Sequence, residues 1–396
     1  MDKTALSLAA FVAICVLLIA CQKKERPQVE LPNLSPTAIS PLNSDALYDA
    51  PLVFRNSYGT SIHHLQRLSD YSLTSRIDTT QSRTPTISIY ANSEFQFEVG
   101  LREEHPSTAP VLGPVDTILV SSDIEGNYQA FVSLLEGNGV IDASKNWIYN
   151  DNHLVLIGDM LDRGDQVLQV LWLIYKLEAE AQSAGGGVHY ILGNHEQMNL
   201  RSKFRPQNTA YVHPEYMRHA SALGIPYQEW FEPNAELGRW LRSKNAILSI
   251  DSILFLHGGI SKKTAGLQLS IEEINETIRT SMSTVSEDMD RSAAILHSAD
   301  GPLWYRGMAN QNMSQNSVNK LLRAMQAKQS VIGHTIVHGH HIQPLYNDKL
   351  IPIDLHHTAT YKQGIVRALL IDTVGFYEID NKRQTQLLFL HHPIEI

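Results

Sequence analysis

From residue 117 onward, short apolar runs recur, each stopping at a polar, glycine-bearing block. Thr117-Ile118-Leu119-Val120, Leu154-Val155-Leu156-Ile157 and Tyr190-Ile191-Leu192 have the length and β-branched content of buried strands. The blocks that follow them are Ser122-Asp123-Ile124-Glu125-Gly126-Asn127, Gly158-Asp159-Met160-Leu161-Asp162-Arg163-Gly164 and Gly193-Asn194-His195-Glu196. Further strands are predicted at 253–256, 331–332, 350–353, 368–371 and 387–390. Between them, residues 165–182 carry helical apolar spacing (Val167, Leu168, Leu171, Trp172, Ile174, Tyr175) and end at Gly185-Gly186-Gly187. A second helix is predicted over 270–282, opened by a capping box at Ser270 and Glu273, as part of an insertion covering one side of the site. Strands alternating with helices make an α/β domain over 113–396. Upstream, residues 61–112 alternate polar and apolar positions, which predicts a small β-rich appendage of two or three strands. Residues 21–60 are rich in Pro, Ser and Asn without periodicity, the composition of a flexible tether.

The first 20 residues have a different pattern. Lys3 precedes an almost unbroken apolar stretch from Ala5 to Ala20, which meets Cys21 and a polar run. Leu18-Ile19-Ala20-Cys21 resembles the bacterial lipoprotein signal, in which the cysteine is acylated and becomes the first residue. The resemblance implies a signal peptide over 1–20, lipid on Cys21 and a protein tethered to the bacterial cell envelope, at the periplasmic face or the outer membrane. The chain has two cysteines. Cys15 would leave with the signal and Cys21 would carry lipid, so no thiolate remains to act as a nucleophile. Among 396 residues, 18% charged with a formal charge of −9, adjacent Lys/Arg residues occur only as the isolated pairs Lys23-Lys24, Lys262-Lys263 and Lys382-Arg383. That balance argues against a nucleic-acid partner.

Carboxylates, an amide and imidazoles gathered at the carboxyl ends of strands are the donor set of hard divalent metals, placed where open α/β sheets bind ligands. Taken in order with His257-Gly258-Gly259, Trp304-Tyr305-Arg306-Gly307 and Gly333-His334-Thr335, the blocks resemble the calcineurin-like metallophosphoesterases. Within them the chain is most similar to the phosphoprotein phosphatase branch and its Shewanella-like protein phosphatases. The resemblance implies a four-layer αββα sandwich and hydrolysis of phosphomonoesters, on proteins or small molecules, by in-line attack of a hydroxide shared by two divalent metals. It assigns Asp123, Glu125 and Asp159 to the first metal. Asp159 is also assigned to the second, with Asn194, His257 and His334. It implies Arg163 and Arg306 as phosphate clamps, and His195 as the acid that protonates the leaving oxygen, held by Asp162. Ile336 stands where the wider superfamily has a second histidine, as in the phosphoprotein phosphatase branch.

The departure is Glu125, where the family has a histidine ligand. A glutamate there would favour manganese, with magnesium and iron ahead of zinc. Two other readings stay open: a nucleotide or dinucleoside polyphosphate hydrolase on the same fold, and a non-catalytic phosphate-binding lipoprotein.

Overall fold

The computed structural model describes residues 47–201 and 210–391. The proposed signal peptide, Cys21 and most of the expected tether lie outside those residues. Two sheets dominate the rest. One has six strands in the order Thr385–Leu390, Gly375–Asp380, Arg367–Asp372, Thr117–Ser121, His153–Ile157 and Gly187–Ile191. Its last three strands run parallel, as the spacing of the motif blocks requires. The other has five, in the order Leu350–Asp354, Gln329–Ile336, Ile253–Leu256, Ile247–Ile250 and Val111–Leu112.

Alternation along each strand explains the layering. Ile118, Val120, Val155 and Ile157 pack in one apolar cluster with Ile253, Phe255, Val331 and Ile351 of the facing sheet. Their neighbours Leu119, Leu154 and Leu156 point the other way, into a cluster with Phe131, Val170, Leu171 and Ile174. Those last residues belong to the helices Tyr128–Gly137 and Val167–Ser183. On the second sheet, Ile247, Leu254 and Leu256 likewise meet Ile271, Ile274 and Ile278 of the helix Ile271–Ser281. β-Branched side chains suit the pleated sheet-to-sheet layer, and leucine suits the helix face. The result is the expected four-layer αββα sandwich.

Several boundaries differ from the sequence reading. The N-terminal β-rich region begins earlier than residue 61: Leu52–Asn56 and Gly59–Arg67 are strands, paired with Leu73–Thr80 in a three-stranded sheet. A hairpin of Thr86–Ala91 and Glu94–Gly100 completes that region. Val111–Leu112 pairs with Ile247–Ile250 and so joins the main sandwich. The helix Ile271–Ser281 keeps its capping box, and the carbonyl of its last residue, Ser281, accepts from Arg201, the residue that ends the helix of His195. Asn275 hydrogen-bonds the backbone of Ala246 and Ile247, and this fixes the helix on the outer face of the second sheet.

Candidate metal centre and phosphate site

Six strand ends converge. Asp123 follows Thr117–Ser121, Asp159 follows His153–Ile157, and Asn194 and His195 follow Gly187–Ile191. From the facing sheet, His257 follows Ile253–Leu256, His334 lies at the irregularity in Gln329–Ile336, and Asp354 ends Leu350–Asp354. Asp123, Glu125, Asp159, Asp162, Arg163 and His334 all have positive φ, between 52° and 67°. A side chain in that region costs backbone energy, and such strain gathers where a fold must aim functional groups. Close approach of the loops also requires glycine: a Cβ on Gly158 would sit 2.4 Å from the Gly193 nitrogen.

Glu196 ties these loops together. Its buried carboxylate accepts hydrogen bonds from the backbone of Asp159 (2.8 Å), Met160 (2.9 Å) and Gly193 (2.6 Å), and from the Tyr190 hydroxyl (2.8 Å). Within this frame, ligand atoms of Asp159, His257 and His334 lie within 4.8 Å of one another, all buried. The tautomers follow from the other ring nitrogens. His257 donates from Nδ1 to the Ile157 carbonyl (2.8 Å) and so presents Nε2, 3.1 Å from Asp159 Oδ2 and 3.0 Å from Asn194 Oδ1. His334 donates from Nε2 to the Trp304 carbonyl (3.0 Å), leaving Nδ1 for the cluster.

Electrostatics mark the same place. Burial raises the Asp123 pKa well above the usual carboxylate range, and the nearby charges of Asp354 and Asp159 push it further. Asp354 is also raised, chiefly by burial. Burial disfavours a charged His257, yet Asp159 and Asp123 override it and lift the ring to about 10. Asp159 is held low against burial by His257 and His195. Buried carboxylates in excess over local cations are an arrangement that a bound metal stabilises. The donor set of carboxylate, amide and imidazole therefore fits divalent cations of the manganese, iron or zinc type.

The expected acid and clamps surround this cluster. His195 Nδ1 donates to Asp162 Oδ2 at 2.7 Å, and its Nε2 lies 3.7 Å from Asp159. Burial works against a charged ring, but Asp159 and Asp162 outweigh it and raise the His195 pKa. Asn199 fixes Asp162 in turn, donating to both carboxylate oxygens at 3.1 Å. Arg306 donates to the His334 carbonyl and to Thr335 Oγ1 (3.2 Å). Burial lowers the Arg306 pKa, and the charges of Asp123, Asp159 and Asp354 oppose that shift. Asp123 accepts from Ser122 Oγ and from the His334 backbone N–H (3.1 Å). Glu125 is the exception. Its carboxylate pairs with the Arg163 guanidinium; like Asp123, it stands outside the cluster of Asp159, His257 and His334.

Three groups were not legible as site residues. Glu196 was visible only as part of its block, Asn199 lies one helical turn past it, and Asp354 ends a strand that carried no motif. Asn199 stands four residues after His195, a spacing that puts both on one helix face.

The profile of the calcineurin-like phosphoesterase family matches residues 116–344, the segment that carries every group above except Asp354. Shewanella-like protein phosphatase 1 of Plasmodium berghei is 28% identical over 246 residues, 60% of this chain and 66% of that protein. Shewanella-like protein phosphatase 2 of Arabidopsis thaliana is 24% identical over 303 residues, 65% of this chain and 75% of that protein. The solved cold-active protein-tyrosine phosphatase of a psychrophilic Shewanella species superposes with a TM-score of 0.76 at 26% identity, covering 86% of this chain and 99% of that one. The chain belongs to the calcineurin-like phosphoesterase family.

Proposed function

We propose that this protein is a metal-dependent phosphatase acting on phosphomonoesters, with phosphorylated proteins as its substrate class. The observation that carries the reading is the convergence of Asp159, His257 and His334, with Arg306 hydrogen-bonded to the His334 carbonyl beside them. Asp159 would bridge two divalent cations; Asn194, His257 and His334 would complete one position, and Asp123 belongs to the other. The cations, when bound, polarise the phosphoryl group and lower the pKa of a water for attack.

The chain's own residues supply the rest. Arg163 and Arg306 offer planar forks to the phosphoryl oxygens and neutralise charge there. His195 is poised as the acid: Asp162 holds Nδ1, so the proton on Nε2 is free to pass to the leaving oxygen. The names of the relatives support a phosphoprotein substrate. The harder oxygen-rich donor set supports manganese as the working metal.

We also place the protein at the bacterial cell envelope, held by lipid on Cys21. This reading is supported by the apolar stretch that ends in Leu18-Ile19-Ala20-Cys21. Growth on labelled palmitate tests it: label is expected in the wild type and not in Cys21→Ser, and label retained in that variant would refute it.

The activity is tested with purified full-length protein. Manganese should support turnover of p-nitrophenyl phosphate and of phosphopeptides, and excess chelator should abolish both. Phosphopeptide turnover that is indifferent to chelator would overturn the metal-dependent reading. Faster turnover of nucleotides than of any phosphopeptide would overturn the substrate class.

A further inference from the structure

Arg306 stands exposed on a segment, residues 297–310, that has neither helix nor strand. A guanidinium aimed from such a segment needs an anchor outside it. The anchor is two residues earlier, where the Trp304 indole N–H donates to Gln197 Oε1 at 2.6 Å. Gln197 is 5% exposed and belongs to the helix Asn194–Leu200, which opens with Asn194 and His195. Residues two apart on a helix do not share a face. His195 therefore turns to Asp162 while Gln197 turns to Trp304.

The hydrogen bonds around Gln197 run in one direction. An indole nitrogen can only donate, so the amide oxygen must face Trp304. Nε2 then donates to His297 Nδ1 at 2.9 Å and to the His297 carbonyl at 3.3 Å. With Nδ1 accepting, His297 carries its proton on Nε2 and donates to Ser281 Oγ at 2.8 Å. The Ser281 hydroxyl passes the direction on to the Thr277 carbonyl. Position 197 thus needs one terminus that accepts on one side and donates on the other, which is what an amide offers. Trp304 also reaches the metal cluster, since its carbonyl accepts from His334 Nε2 at 3.0 Å and Arg306 donates to the His334 carbonyl.

We propose that Gln197 is a positioning residue that sets Arg306 against His195 across the site, acting through the Trp304 indole. The inference rests on the reading of Arg306 as a phosphate clamp. One side chain joins the helix that aims the acid to the segment that aims the guanidinium, so the leaving oxygen and the phosphoryl oxygens meet groups held at a fixed separation.

A double-mutant cycle on full-length protein at saturating manganese tests this. Gln197→Met keeps the length of the side chain and removes the amide. The KM for a phosphopeptide and the inhibition constant of inorganic phosphate should each rise about 10-fold, with kcat falling less than about 3-fold. Trp304→Phe, which keeps a ring without the N–H, should do the same, and it carries the cycle if a melting curve shows Gln197→Met unfolded. In an Arg306→Ala background either change should cost nothing further. A full second loss in that background would show a general structural role and overturn the proposal, as would unchanged KM and phosphate inhibition in both folded single variants. An Arg306→Ala variant that binds phosphate and turns over like the wild type would instead bring down the clamp reading and this inference with it.

Discussion

Two buried acidic clusters in this molecule meet opposite fates. Around Glu236, every negative charge has a partner. Arg55 Nε donates at 2.7 Å, His105 at 2.8 Å, the Tyr175 hydroxyl at 2.9 Å and Arg239 at 3.1 Å. Burial alone would raise the Glu236 pKa, but the bonds from His105 and Arg55 win and hold it at about 2. Around Asp123, Asp159 and Asp354 the carboxylates repel one another, and two of the three are pushed upward. The first cluster joins the N-terminal strand of Arg55 to the helices of Tyr175 and Glu236. The second also ties strand ends together, Asp123 accepting from the His334 N–H and Asp159 from the His195 N–H, but it leaves like charges facing one another. A fold that can neutralise a buried carboxylate fully, and does not do so at its strand ends, has left charge there for a ligand.

The largest effect expected from breaking this contrast is on activity. Asp123→Asn removes a proposed metal ligand and should cut kcat by about 10³-fold, a loss of about 4 kcal/mol of transition-state stabilisation. The same change relieves repulsion, so the melting temperature measured in chelator should hold or rise. A clear drop in melting temperature would show that Asp123 is a structural group. Glu236→Gln should do the reverse. It strands buried Arg55 without a counter-ion and should cost about 3 kcal/mol of stability, with metal content unchanged. The pH dependence has a definite sign. A lowered carboxylate pKa contributes stability above the unfolded value of 4.5, lost as pH falls toward about 2. Acid unfolding of the Glu236→Gln variant, followed by circular dichroism, should therefore show a shallower dependence over that window than the wild type.

Legibility in the sequence followed the same divide. Strand-plus-block patterns at 117–127, 154–164 and 190–196 exposed the metal-facing residues, because runs of Ile, Val and Leu announce buried parallel strands. The hairpin of Ile247–Ile250 and Ile253–Leu256 was half hidden. Its turn residues, Asp251 and Ser252, both take positive φ, and nothing in Asp-Ser marks that turn as strongly as Asn-Gly would. Gly375–Asp380 escaped because Glu378 and Asp380 break its alternation, although Glu378 is buried against His341 and Arg367. The Glu236 network was invisible for a plainer reason: its partners lie up to 181 residues away. The pairing of Glu125 with Arg163 was equally unreadable, since spacing places both residues at the site but does not say which neighbour each will face.

A smaller effect is expected at the acid. Against burial, Asp159 and Asp162 raise the His195 pKa, so the ring keeps its proton to higher pH than an ordinary imidazole. Asp162→Asn should move the alkaline fall in kcat to lower pH and reduce the rate about 10-fold on phosphoserine peptides. The loss should be slighter on p-nitrophenyl phosphate, whose leaving group needs little protonation. Equal losses on both substrates would mean that Asp162 positions the loop and does not serve the acid.

The smallest effect concerns the ion pair that lies between the two extremes. Glu125 is buried, whereas the Arg163 side chain is 44% exposed. A pair open to water on one side holds its partners weakly, at about 1 kcal/mol or less. Glu125 therefore competes with substrate phosphate for the guanidinium without locking it. Glu125→Gln removes the competing charge, and the KM for p-nitrophenyl phosphate should fall about 2- to 5-fold with kcat nearly unchanged. The gain should fade at high salt, because screening weakens the competition in the wild type as well. A KM that rises in the variant would show that Glu125 orients Arg163 toward the phosphate, and that the charge balance at the rim is tuned for alignment and not for restraint.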